Sequence, residues 1–271
     1  GTIMTTISGK QSGSFWKRFA PLFGAGAVGI AAIAPLVARQ TSTLIGDKLA
    51  SAPPLPVLIG AALIQTTVLV GVAVAAGVAL APRLGLRSYL VEKGTSDTPV
   101  LLALRPEVPM AVAGGIAAFA LITGLDLLLK PFMLEAWQAM HGLVTHTDFA
   151  SIVGGLFYGG IVEEILLRWG VMTLLAWAGW RVLQHGKGTP RPAIIWAAII
   201  VAALLFGAGH LPITATVTTL TPLVVARALL LNGIGGVIWG WLYWRKSLEA
   251  AMVSHATYHV CATIVALLLH G

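Results

Sequence analysis

The sequence predicts an all-α, polytopic transmembrane helical bundle of about seven to eight spans with a polar site inside the membrane, and three observations carry this. The 271 residues are 57% hydrophobic and only 10% charged. The apolar residues gather into charge-poor runs long enough to cross a hydrocarbon layer of about 30 Å at 1.5 Å per helical residue. The basic residues fall almost entirely into alternate loops, the asymmetry that sets orientation in a membrane.

Each element follows in order. The polar start, ending at Lys17-Arg18, has no small-residue cleavage site after a short apolar core, so 1–18 reads as a cytoplasmic tail. The first run is 19–38. "SAPPLP" at 51–56 is a breaker that opens the second, 56–81. The polar stretch "RLGLRSYLVEKGTSDTP" at 83–99 separates it from the third, 107–129. Residues 131–148, with Trp137, His141 and His146, are too polar to span and fit the outer interface. The fourth run, 150–180, and the fifth, 193–210, flank the turn "HGKGTPRP" at 185–192. The sixth is 222–244 and the seventh 250–269. The chain thus divides into N-terminal transmembrane helices, 19–148, and a core, 149–271, that carries the unusual polar residues.

An N-terminus in the cytoplasm puts Lys10, Lys17, Arg18, Arg83, Arg87, Lys93, Arg105, Arg181, Lys187, Arg191, Arg245 and Lys246 inside. Arg39, Lys48 and Lys130 fall outside, and Arg168 and Arg227 lie within spans. The net charge of +7 is therefore a topogenic signal and not evidence for a nucleic-acid partner. An integral protein of a bacterial cytoplasmic membrane is the expected setting, with the lipid bilayer as its medium. One cysteine, Cys261, excludes an internal disulfide.

Ionisable groups in hydrocarbon are costly and face a bundle interior or aqueous cavity, so they mark function. "EEILLR" places Glu163, Glu164 and Arg168 in the fourth run. Glu164 and Arg168 are four apart with the acid first, the favourable order for a helical pair. Glu163 is turned about 100° away on a 3.6-residue period, which leaves one carboxylate for another task, such as taking a proton from water. "FGAGH" carries Phe206 and His210 just before the helix end or kink expected at Pro212. From Gly186, Glu163 lies 23 residues back and His210 24 residues forward, so the hairpin arms bring them to one level. "HATYH" sets His255 and His259 on one face, able to ligate a metal or donate to a substrate. His255 lies so near the Lys246–Glu249 turn that it reaches Glu163 only if the Gly186 hairpin projects beyond the membrane. Arg227 is expected to line the cavity or pair with Glu163, Glu164 or Glu249, and Asp126 to meet Lys130 four residues on. Trp239, Trp241, Tyr243 and Trp244 precede Arg245-Lys246 and read as an interfacial belt.

These three motifs, in this order on apolar spans, resemble the CAAX protease and bacteriocin-processing enzyme family of intramembrane glutamic proteases, which is related to the Ras-converting CAAX endopeptidase. The resemblance covers roughly Phe157 to Leu269. It implies a catalytic set of Glu163, Glu164, His210, His255 and His259, with Arg168 and Phe206 in support. Glu163 would be the general base, His210 would help hold the water, His255 and His259 would stabilise the oxyanion, and Glu164 with Arg168 would organise the site. The departure is His259, where well-studied members carry Asn. The implied partner is a peptide or membrane-protein substrate. No cofactor is required by this reading, although Glu163, His210, His255 and His259 could bind Zn²⁺ and make a zinc-dependent version of the same protease.

Other intramembrane protease chemistries lack their motifs, since neither GxSxG nor HExxH is present. A non-catalytic scaffold or immunity protein that keeps the fold and binds a peptide is the alternative from another class. A proton-coupled transporter is disfavoured by the absence of inverted repeats.

Overall fold

A computed structural model describes residues 8–46, 51–143 and 147–270, and it is helical throughout. The first half holds α1 (Ser8–Ile45), α2 (Leu55–Leu80), the short α3 (Tyr89–Glu92) and α4 (Val100–Leu104), then α5 (Val108–Leu129) and α6 (Leu134–His141). The second half begins with α7 (Phe149–Val153), which runs through a wider-wound stretch into α8 (Thr173–Leu183). Then come α9 (Pro192–Gly209), α10 (Leu211–Thr214), α11 (Pro222–Arg245) and α12 (Leu248–His270). Among the described residues, seven helical segments are long and apolar enough to cross a membrane: Ser14–Thr43, Leu55–Leu84, Val100–Phe132, Phe149–Leu183, Pro192–Thr214, Pro222–Arg245 and Leu248–Leu269. Large aliphatic side chains such as Ile64, Val72, Leu128 and Leu268 point outward and are exposed, the surface of a bundle solvated by lipid.

The runs expected from sequence coincide with these spans. The polar start does not: from Ser8 onward it is already the first turns of α1, while residues 1–7, Lys48 and His146 lie outside the described residues. Pro54, Pro192 and Pro222 open helices, at positions where a missing N–H costs nothing.

The core is built from α2, the long fourth span, α9, α11 and α12 around Trp169, Met172, Ile199, Leu242 and Tyr243. Small residues allow the closest approaches. A methyl group on Gly236 would lie 2.7 Å from Ala203 Cβ of α9, and one on Gly207 2.8 Å from Leu229 Cα of α11. Without a hydrophobic drive between helices in lipid, contacts of this kind are what hold them together.

Polar ties secure the two ends. At the end bearing the basic loops, Glu249 accepts from Ser88 Oγ (2.5 Å), Tyr89 N (2.9 Å) and Leu90 N (3.0 Å), and so caps α3 from a distant helix. Glu107 accepts from Tyr89 Oη and Ser247 Oγ. The Tyr89 phenol is pushed up to about 12 by burial and by that carboxylate. At the opposite end Arg227 Nε donates to Asp126 Oδ1 at 2.7 Å, and Trp137 Nε1 donates to Oδ2 at 3.1 Å. His141 Nε2 stands 3.1 Å from the same carboxylate. The expected Asp126–Lys130 pair is thus replaced: Lys130 sits over the Trp137 ring, 4.4 Å from its centroid. The expected pairing of Arg227 with Glu163, Glu164 or Glu249 is replaced as well, since its guanidinium is taken by Asp126 of α5.

Candidate active site

The helix carrying "EEILLR" is not α-helical. It is wound as a π-helix over Gly154–Glu163 and again over Ile165–Met172, with Glu164 between. Such winding is rare and concentrates at functional sites. The backbone N–H of Thr173 reaches back five residues to Arg168 O. The 3.6-residue geometry expected from sequence is corrected accordingly, but the separation of the two carboxylates survives it.

Glu164 is fully buried. Its Oε1 lies 3.3 Å from Arg168 Nη1 and 2.8 Å from His255 Nδ1. The contact with Arg168 is a charge contact without hydrogen-bond alignment, and Glu164 Oε2 and the Arg168 Nη atoms have no hydrogen-bond partner among the described residues. The guanidinium is instead held by ring faces, Phe206 at 5.1 Å and Trp239 at 5.6 Å. Glu163 differs. Its side chain keeps 20% of its exposure, and its contact is loose, 3.8 Å from His255 Nε2.

His255 therefore bridges the two acids, with Nδ1 toward Glu164 and Nε2 toward Glu163. It is the middle of a stack. The Trp239 ring lies 3.6 Å from it at an interplanar angle of 12°, and the His259 ring 5.1 Å on the other side at 18°. His259 in turn lies against the glycine face of the motif helix: a methyl on Gly159 would stand 2.6 Å from its Nε2, and one on Gly155 2.8 Å from its Nδ1. Only hydrogen at these two positions leaves room for an imidazole between the helices.

His210 follows the last turn of α9. Its Nδ1 lies 2.8 Å from Phe206 O, an N–H donation that leaves Nε2 as the lone-pair nitrogen. Its ring meets Phe206 edge-on at 4.9 Å, and Phe206 meets His255 at 6.1 Å. Glu163, Glu164, Arg168, Phe206, His210, His255 and His259 thus gather around one spot. The apparent mismatch in depth is absorbed by the fourth span, whose 35 residues far exceed the ~20 needed to cross.

Two contributors were not read from the sequence. Trp239 is 2% exposed and packs inside the bundle, as does Tyr243, whose hydroxyl meets Thr173 Oγ1 at 2.7 Å. Neither belongs to the interfacial belt expected from their place just before Arg245-Lys246. The Gly155/Gly159 pair was legible in principle, since small residues four apart mark a close helix contact.

The zinc alternative finds no ligand set. Among the described residues no three His, Cys, Asp or Glu side chains are arranged to hold one metal ion. Of the two His255 nitrogens, Nδ1 is taken up by Glu164, so only Nε2 faces Glu163.

Residues 145–261 match the family model described as Type II CAAX prenyl endopeptidase Rce1-like. Comparisons with curated proteins and with solved structures gave no match.

Proposed function

With residues 145–261 in the Rce1-like type II CAAX prenyl endopeptidase family as premise, we propose that this chain is an intramembrane endopeptidase that hydrolyses a peptide bond of a membrane-associated peptide or protein with Glu163 as general base. The observation that carries the reading is the division of labour between adjacent carboxylates. Glu164 is sealed among Arg168 and His255, while Glu163 is open and uncommitted.

The chemistry follows from these positions. Glu163 takes a proton from a water held with the help of His210 Nε2, and the hydroxide oxygen attacks the scissile carbonyl carbon. General-base assistance of this kind contributes roughly 10²–10⁴-fold. The carbonyl oxygen becomes an oxyanion, met by His255 and His259. With Nδ1 turned to Glu164, the His255 imidazole presents Nε2 toward the oxyanion and donates from there. A preorganised donor to such an oxyanion is worth about 2.7–4 kcal/mol. The C–N bond then breaks, the proton held by Glu163 passes to the departing amine, and a carboxylate and an amine are released. Arg168, fixed by Glu164 and two aromatic faces, holds the first carboxylate in place.

The test is cleavage of a peptide library by detergent-purified protein, comparing wild type with Glu163→Gln and His210→Ala, each with and without a zinc chelator. Glu163→Gln is expected to abolish cleavage, His210→Ala to reduce it strongly, and chelator to change nothing. Undiminished cleavage by folded Glu163→Gln would refute the assignment. Loss on chelation with recovery on adding zinc would replace it with metal chemistry.

A further inference from the structure

We propose that the end of the bundle bearing the basic loops carries a binding site for the phosphodiester headgroup of an anionic phospholipid, separate from the glutamate site. A cavity of about 630 Å³ opens there between the start of α1, the segment linking α2 to α3, and Trp169 of the motif helix. Two guanidiniums line it, Arg18 and Arg87, against one carboxylate, Glu92. Arg87 grips Glu92 in two-pronged fashion, Nε to Oε1 at 3.1 Å and Nη2 to Oε2 at 2.8 Å, so those two charges cancel. Arg18 forms no ion pair among the described residues. One Nη donates to Val78 O at 3.3 Å, at the end of α2, which anchors the half-buried guanidinium while its other N–H groups stay free to donate. The cavity therefore holds one uncompensated, prepositioned positive charge of the kind that takes a phosphate oxygen pair.

The rest of its wall mixes Pro82, Leu86, Val91 and Trp169 with the hydroxyls of Ser14, Ser88 and Thr95. Leu86 is 3% exposed, and the indole of Trp169 has its N–H bound to Val74 O. Pro82, exposed beside the buried Leu86 and Val91, sets apolar surface next to the charge, as an amphiphile requires and a bare phosphate does not. The depth is that of headgroups. Trp16, 60% exposed on α1, lies beside Lys17 and Arg18, the pairing of aromatic ring and basic residue found at the membrane–water interface. Basic pockets between transmembrane helices at this level are recognised by anionic headgroups.

The experiment uses the full chain in neutral detergent. Short-chain phosphatidylglycerol, short-chain phosphatidylcholine and inorganic phosphate are titrated separately, and the shift in thermal unfolding gives each apparent Kd. Wild type is expected to bind phosphatidylglycerol in preference to the other two. Arg18→Gln should weaken that binding at least about tenfold, the loss for a hydrogen-bonded charge contact. Thr95→Trp fills the cavity from an exposed position without altering charge and should weaken binding as well, so the outcome stands even if Arg18→Gln folds poorly. Arg245→Gln, at the same end but off the cavity, should leave Kd unchanged. Equal binding of the two lipids, or equal loss in Arg245→Gln and Arg18→Gln, would reduce the site to diffuse surface attraction and overturn the proposal. Inorganic phosphate matching phosphatidylglycerol would overturn the lipid assignment in favour of a small-anion site.

Discussion

Replacing Gly159 by alanine puts a methyl group 2.6 Å from His259 Nε2, 3.2 Å from its Cδ2 and 3.5 Å from His255 Nε2. Restoring ordinary contact at about 3.5 Å requires the His259 ring to shift by about 0.9 Å. The ring is not a free end. It stacks on His255, which stacks on Trp239 at 3.6 Å, so a shift disturbs the whole column. A misplacement of about 1 Å at a reacting centre costs on the order of 100-fold, or about 2.7 kcal/mol of barrier. Stability should change much less. Overpacking costs about 1–3 kcal/mol, and the better helix propensity of alanine returns up to about 1. The assay is kcat and KM on the peptides cleaved by wild type, with thermal unfolding measured on the same samples. Gly60→Ala in α2 is the control, since nothing lies within 4 Å of its added methyl. Expected are a kcat lower by about 100-fold for Gly159→Ala at nearly unchanged KM, and wild-type kinetics for Gly60→Ala. A folded Gly159→Ala protein with wild-type kcat would show that the position of His259 does not matter to the reaction.

Three further outcomes follow from other contacts. Trp239→Leu removes the face on which His255 and Arg168 rest and should lower kcat by up to about tenfold, with Trp239→Phe recovering most of it; identical losses in both would remove stacking as the cause. Asp126→Asn leaves Arg227 without its partner far from the glutamates, so it should cost about 3 kcal/mol in unfolding measurements while kcat stays within about twofold, and an unchanged unfolding midpoint would contradict the buried pairing. Glu249→Gln turns an acceptor of two backbone N–H groups into a partial donor and should free the segment around α3, seen as about tenfold faster tryptic cleavage after Arg87 and Lys93; an unaltered rate would show that α3 is held by something else.

The spans and their alternation were legible because hydrophobicity and length are local properties, and a bilayer reads them along the chain. The ion pair of Glu164 with Arg168 was legible for the same reason, as four residues of one helix. The shared level of Glu163 and His210 was legible in the equal hairpin arms about Gly186, and the joining of His255 to them only in three motifs whose order resembles a known family. What the sequence left open were partners chosen across helices. Asp126 meets Arg227 instead of Lys130 because α11 passes close by, which no spacing within α5 reveals. Trp239 looks like any interfacial tryptophan until α11 turns it against His255. The motif helix is wound wide although its composition is that of an ordinary apolar helix. The sequence by itself determined that carboxylates and imidazoles would sit in the membrane, since a charge there has to face inward. Only the tertiary structure decided which carboxylate is sealed and which is open, because burial is set by the neighbouring helices, and in lipid those are placed by small-residue packing that a hydrophobic pattern does not encode.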